Sequence, residues 1–319
     1  MRRMLDNMGS YVLKRFLSAV PTVIGVFVVV FFVIRMIPGD PAVSMLGSGA
    51  TEAQIQVYRV KYGLDAPLPV QFGIAFRNFL TGDLGDSISL YKPVREAIME
   101  RLPGTVQLAG LGVVAGGILA VFLGVAAAVF RGKWPDLLLT SLSSLGMSLP
   151  TFYIGLWVLM IFARKLGVIP VLSNARGVSY WQSMFGPLLT MVVGETSLLT
   201  RTTRSSMLEI FNEDFIRTAR AKGLPEKWVM FRHALGNAMI PIITVTGYNL
   251  ATAFGGAIVL EAVFTRNGIG SLLIGAINAR DYPLIQGAAV VIAMLMILVN
   301  IMTDIIYGFA DPRIRVSGE

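Results

Sequence analysis

The sequence predicts an all-α polytopic membrane bundle, with six transmembrane helices and an external helical insert after the first. Three observations predict it. Of 319 residues, 55% are hydrophobic and only 14% are charged, against about 25% charged in soluble domains. Mean hydropathy is +0.69. The apolar residues fall in runs near the roughly 20 that a helix needs to cross a bilayer, and Lys and Arg gather in the loops between them. The net charge of +8 therefore reads as membrane topology, with lipid as the surroundings, and no nucleic-acid partner is needed. There is no Cys, hence no disulfide, thiolate nucleophile or Cys-based metal site. The single His, His233, argues against a His-cluster metal centre.

Taken in order, residues 1–15 form a basic cytoplasmic tail, and the first span is 16–37. A signal peptide shares the basic start, but its apolar core is only about 7–15 residues. This run is longer and ends in Arg35-Met36-Ile37-Pro38. Arg35 sits where it can snorkel to the interface. Pro38, Gly39, Asp40 and Pro41 stop the helix and open the insert, residues 38–103. Thr51-Glu52-Ala53-Gln54 is a capping box, and its helix should end at Tyr62-Gly63. A second amphipathic helix covers 69–80 and a third short one 93–102. Gly82, Asp83 and Gly85 make a loop between them. No Lys-Ser/Thr follows, and the acidic residues repel phosphate, so nucleotide binding is not expected there.

Residues 104–310 form a five-helix core. Its spans are 105–130, 137–162, 187 to about 200, 239–263 and 284–309, with a charged loop at 205–238 and a tail at 311–319. With the N-terminus inside, inner segments hold fifteen Lys and Arg. The short outer loops hold five: Arg164, Lys165, Arg176, Arg266 and Arg280. This places both termini and the charged loop in the cytoplasm.

That loop is built as two short helices with a break. Asn212 can cap the first, and Glu213 and Asp214 sit in its first turn, where the dipole favours anions. Phe215, Ala219 and Gly223 form an apolar stripe beside Arg217 and Thr218. Arg220 and Lys222 fall in the last turn. Gly223 can take the left-handed conformation that ends a helix, and after Leu224, Pro225 suits the start of the next. Trp228, Arg232, His233 and Asn237 follow.

Glu195 and Asp304 are the ionisable residues most clearly inside the spans. Intramembrane carboxylates are costly and face a cavity or a partner, so a packing pair and a proton relay both remain open. Ser144 and Ser148 in the third span, and Tyr248 and Asn249 in the fifth, join Glu195 as candidates for a translocation path. Small and hydroxyl side chains serve helix packing equally well.

The loop resembles the coupling loop of ABC importer permeases. Ala219 and Gly223 stand where that signature has its second Ala and its Gly. The run Arg217 to Gly223, followed by Arg232 to Ala238, is the form of the dipeptide and oligopeptide branch. The insert adds Arg35 to Pro41, Tyr62 to Pro69 and Thr81 to Gly85, and the C-terminal half adds Glu261 to Phe264 and Gly268 to Gly270. Together these resemble the B-type permease subunit of peptide and nickel importers over essentially the whole chain. The resemblance implies a type I importer fold in a bacterial or archaeal cytoplasmic (inner) membrane. It implies a second homologous permease subunit, two cytosolic ATPases carrying ATP and Mg, and an external solute-binding protein that delivers a small peptide, nickel complex or glutathione. The chain has no Gly-x4-Gly-Lys-Ser/Thr loop, so no cofactor is expected on it and no catalytic residue is assigned. The alternative is an ion-coupled secondary transporter using Glu195 and Asp304.

Overall fold

The computed structural model describes residues 2–46 and 49–310. The expected tail at 311–319 and the side chain of Asp304 lie outside the described residues. In chain order the elements are α1 (Arg2–Met36), α2 (Pro41–Leu46), α3 (Glu52–Lys61), α4 (Leu68–Thr81), a hairpin of β1 (Asp86–Ser87) and β2 (Lys92–Pro93), and α5 (Val94–Val129). Then follow α6 (Trp134–Ser148), α7 (Thr151–Val158) with a wider π-helical turn to Lys165, α8 (Tyr180–Ile210), α9 (Asp214–Ala221) and α10 (Glu226–Trp228). A second π-helical stretch (Val229–Ala234) leads into α11 (Leu235–Val263), followed by α12 (Ile269–Ala279) and α13 (Tyr282–Ala310). The protein is a polytopic helical membrane protein. By length and composition, four helices among the described residues can cross a membrane: Phe16–Met36, Val94–Val129, Glu226–Val263 and Tyr282–Thr303. A bent pair, Trp134–Ser148 with Thr151–Lys165, makes a fifth. The expected fourth span lies in α8, which is long enough but made polar by Glu195, Arg201 and its Ser and Thr residues.

Two expectations differ from the structure. The third short helix and the second span are one helix, α5, with Pro103 inside it. Proline removes one backbone bond, but buried Ala97, Ile98, Leu108 and Ala109 pack the helix on both sides of it. The third span is not one rod. It breaks between α6 and α7 with a 107° bend, because the residue before a proline is pushed out of the helical region. Leu149, before Pro150, is extended at φ −96° and ψ 132°.

The chain divides into two compact units. Unit one is Met1–Thr105 with Asn267–Ile297, and unit two is Val106–Arg266 with Leu298–Glu319. In unit one, Phe27, Phe31 and Phe32 of α1 meet Phe72, Phe76 and Phe79 of α4, with Phe27 and Phe79 stacked at 4.6 Å. A second cluster joins Ile34, Val94, Ile98, Ile269, Leu272, Leu284 and Ile285. The Thr51–Gln54 capping box forms, and α3 ends at Tyr62. The Pro38–Pro41 turn has a structural task. Gly39 has φ +121°, and a Cβ there would fall on the Arg280 guanidinium. Asp40 accepts from the Ala42 N–H at 2.8 Å and from Arg59 Nε at 2.7 Å, tying α2 to α3. Gly82 (φ +76°) caps α4, and Asp83 accepts from the Gly85 N–H. Asp281 is fully buried and receives the Ser87 and Ser89 hydroxyls at 2.6 and 2.7 Å, fastening the hairpin to the start of α13.

In unit two, α8 is the central helix. Gly112, Gly116 and Gly124 of α5 lie against Met191, Glu195 and Thr203, and Gly146 of α6 lies against Ser197. Small residues let helix backbones close in where lipid offers no hydrophobic drive. Gly155 of α7 and Gly186 of α8 both press on Phe264. Glu261 and Arg266, both buried, approach at 3.9 Å.

Candidate functional site: a two-faced elbow between two long helices

The charged loop of the sequence is a folded elbow within unit two, joining α8 to α11 through α9 and α10. Its inner face is apolar. Ile216 is fully buried and Ala219 nearly so, and they share a core with Leu199, Met207, Val229, Ala234, Ala238 and Ile242, together with Ala120, Val125 and Ala128 of α5. This corrects the expected stripe: Ala219 buries with Ile216, whereas Phe215 is 42% exposed and Gly223 is open. The i, i+3 step to Ile216 is as good a helical face as the i, i+4 step to Phe215, and the larger aliphatic burial decides between them.

The break matches its chemistry. Gly223 has φ +74°, and the Leu224 N–H returns to the Ala219 carbonyl at 3.4 Å, a left-handed helix stop. Asn212 does not cap α9. Its amide donates to the Leu208 carbonyl at 3.0 Å, and Glu213 holds the cap position with no side-chain bond. Across the turn, Arg220 makes a bidentate pair with Glu226, at 3.1 and 2.6 Å. Burial nudges the Glu226 carboxyl up, but Arg220 outweighs it by bond and charge. Its pKa falls because of the Arg220 hydrogen bond first.

The outer face is exposed and mixed. Phe215, Leu224, Trp228 and Phe231 show their apolar surfaces beside Arg217, Thr218, Lys222 and Arg232. Arg217 reaches Asp214 at 3.4 Å, and the Thr218 hydroxyl bonds the Asp214 carbonyl. The Arg232 guanidinium stands 5.5 Å from the Trp228 ring. His233 is half-buried, and its backbone carbonyl accepts from the Asn237 amide at 2.7 Å. Such a face has the exposed apolar and charged groups that protein interfaces use, while the inner face packs on α8 and α11.

One residue pair escaped the sequence reading. Asp136, at the start of α6, is 5% exposed and takes Arg204 of α8 in a bidentate pair at 2.6 and 2.8 Å. It also accepts from the Gly132 N–H and the Thr140 hydroxyl. The local signal was an acid in a helix's first turn, but its partner lies 68 residues away.

The path candidates separate. Asn249 is buried and donates to the Glu195 carbonyl at 3.4 Å, so α8 and α11 bring these two together. The Glu195 carboxylate is half-buried and has no partner among the described residues. Ser144 and Ser148 bond carbonyls of their own helix, those of Thr140 and Ser144. Tyr248 is 62% exposed. Among the described residues, no group of three or more His, Asp or Glu is placed to hold a metal.

The chain is thus a polytopic helical bundle whose elbow has one face packed in the core of unit two and the other exposed. Residues 120–316 match the family of binding-protein-dependent transport system inner membrane components, and residues 8–109 match the N-terminal membrane component of the same systems. The chain belongs to this family: it is the inner-membrane, multi-pass permease subunit of an ABC importer. It is similar to the glutathione transport system permease protein GsiC of Salmonella paratyphi A, at 39% identity over 97% of this chain and 99% of that one. It is also similar, at 38% identity with the same coverage, to a putative peptide transport system permease protein of Brucella abortus. Among solved structures it resembles the inward-facing MetNI methionine ABC transporter, with a TM-score of 0.56 at 17% identity over 68% of this chain and 97% of that one. An amino acid ABC transporter gives a TM-score of 0.51 at 15% identity over 69% and 94%. These two likenesses concern the fold. Subunits of this family are transport components, not enzymes, and work with ATPase and substrate-binding proteins. That assignment disfavours the ion-coupled alternative.

Proposed function

We propose that this chain carries a small peptide or a peptide-like solute such as glutathione across the inner membrane, paired with a second homologous permease subunit. The names of the relatives supply glutathione and peptide, and the resemblance to peptide and nickel importers adds a nickel complex to the range. Two cytosolic ATPases dock on the outer face of the elbow, and ATP and Mg reside on them. Residues 38–103 face outside, where the solute-binding protein delivers its cargo, and both termini face the cytoplasm. The observation that carries the reading is the elbow's two faces. Ile216 and Ala219 are fixed in the core of α8, α11 and α5, while Phe215, Leu224 and Trp228 remain open for a partner.

In this reading ATP-driven closure pushes α9, and the push passes through Ile216 and Ala219 into α8 and α11. Glu195, on the moving helix and without a partner of its own, faces the path beside Asn249, where it can take the ammonium group of a peptide. Ser144, Ser148 and Tyr248 belong to the same path. The test is reconstitution in vesicles with the two ATPases, the second permease and the binding protein. ATP-dependent uptake of a dipeptide, lowered in Glu195→Gln with unchanged folding, is the expected result. Uptake by the lone chain driven by a proton gradient would overturn it.

A further inference from the structure

Unit one contains a cavity of about 860 Å³, within the range of small-molecule sites. Its apolar wall includes Phe27, Ile74, Phe79 and Val290, and its polar wall includes Arg35 and Gln286. Both polar groups bring donors that lack acceptors. Gln286 is 8% exposed, and its Nε2 is buried without a hydrogen bond. Arg35 bonds only neutral oxygens, Gln71 Oε1 at 3.0 Å and the Phe31 carbonyl at 3.1 Å, and pairs with no carboxylate among the described residues. The Arg35 group is held in place. Gln71 donates to the Leu64 and Ala66 carbonyls, which turns its oxygen to Arg35, and the Phe31 ring lies 3.5 Å beneath the guanidinium. A guanidinium has five N–H donors, so most remain for a ligand. Of the charged lining residues, Lys92 pairs with Glu100, and Arg35 is a cation that no carboxylate among the described residues neutralises. Asp83 is already engaged by the Gly85 N–H.

Depth selects among anions. Arg35 lies in the last turn of the apolar span Phe16–Met36, and Gln286 lies near the start of Tyr282–Thr303. Both donors therefore stand where spans leave the hydrocarbon, with an apolar wall beside them. A ligand with a phosphate on long acyl chains has its charge at that level and its apolar part next to it. We propose that this cavity holds the phosphate of a membrane phospholipid on Arg35 and Gln286, with an acyl chain along Phe27, Ile74, Phe79 and Val290.

The test uses the full chain purified in dodecyl maltoside, stripped of lipid and titrated with dioleoyl phosphatidylglycerol. Bound lipid is counted by native mass spectrometry, and the thermal midpoint is followed. One retained lipid per chain and a raised midpoint are expected. Gln286→Leu and Arg35→Gln should each weaken retention about tenfold, the loss of one charge-assisted hydrogen bond. Without lipid, Gln286→Leu should unfold no earlier than the natural chain, since an orphan amide gives way to an apolar group. Retention by both variants as strong as that of the natural chain overturns the proposal, as does earlier unfolding of lipid-free Gln286→Leu. Protection by inorganic phosphate or trialanine in place of lipid assigns the cavity to a soluble anion and also overturns it.

Discussion

Asp136 of α6 and Arg204 of α8 hold each other through two bonds, at 2.6 and 2.8 Å, with the carboxylate almost wholly removed from solvent. Arg204 sits just before the elbow on α8, and Asp136 ties it to the start of α6. Removing one partner of a fully buried pair costs about 3–5 kcal/mol, and the Arg204 charge that Asp136→Asn strands is 27% exposed, so the cost falls below that range. Asp136→Asn should therefore lower the thermal midpoint of the detergent-purified chain. The double variant Asp136→Leu with Arg204→Met should regain most of the loss, because apolar replacements of similar size restore packing. A single variant that melts with the natural chain would show that the pair contributes nothing.

The Pro38–Pro41 turn gives a second prediction. Gly39 combines φ +121° with an Arg280 guanidinium where a Cβ would stand. Gly39→Ala must both strain the backbone and displace Arg280, an effect on the order of 1–3 kcal/mol. Gly39→Ala with Arg280→Ala removes the clash but keeps the strain, so it should recover only part of the midpoint. Full recovery would mean that the turn's conformation is unimportant.

Asp40 and Arg59 predict an acid-side dependence. Burial pushes the Asp40 carboxyl up, but the Arg59 guanidinium and the Ala42 and Val43 N–H groups hold it below the usual carboxylate range. A depressed folded value means that the unfolded state binds the proton more readily. The contribution is therefore complete above about pH 4, the ordinary carboxylate value, and fades as pH falls below it through the folded value. Limited proteolysis across α3 should rise below about pH 4 in the natural chain. In Asp40→Asn it should be raised at neutral pH and flatter with acid. Identical pH profiles would remove this pair from the account.

What the sequence made legible was local. The Thr51–Gln54 box, the Gly223 stop and the apolar runs are each written within a few residues, where capping and hydration decide the outcome. What it hid depends on partners far along the chain. Asp136 needed Arg204, and Gly39 needed Arg280. Gly112 and Gly116, four apart, are a helix-packing face that passes for ordinary apolar sequence until Met191 and Glu195 lie against it. Pro103 and Pro150 look alike as breakers. One stays inside a packed helix and the other bends a span by 107°, and only the surrounding burial separates them.

The elbow yields the prediction closest to function. Gly223 has φ +74°, with nothing within 4 Å of a built Cβ, so a side chain there has room but the wrong backbone. Left-handed geometry costs a β-branched residue about 1–2 kcal/mol and is tolerated by Asn. Gly223→Val should swing α9 away from α10 and weaken the Arg220–Glu226 pair, lowering uptake per ATP hydrolysed several-fold in vesicles holding the complete transporter. The amount of chain in the membrane should not change, and Gly223→Asn should keep near-normal coupling. Ala219→Leu behaves differently, because it overpacks the core around Ile216 and Val229 by about 1–3 kcal/mol. It should lower the thermal midpoint as well as uptake. Undiminished uptake per ATP in Gly223→Val would show that the angle between α9 and α10 is not the lever.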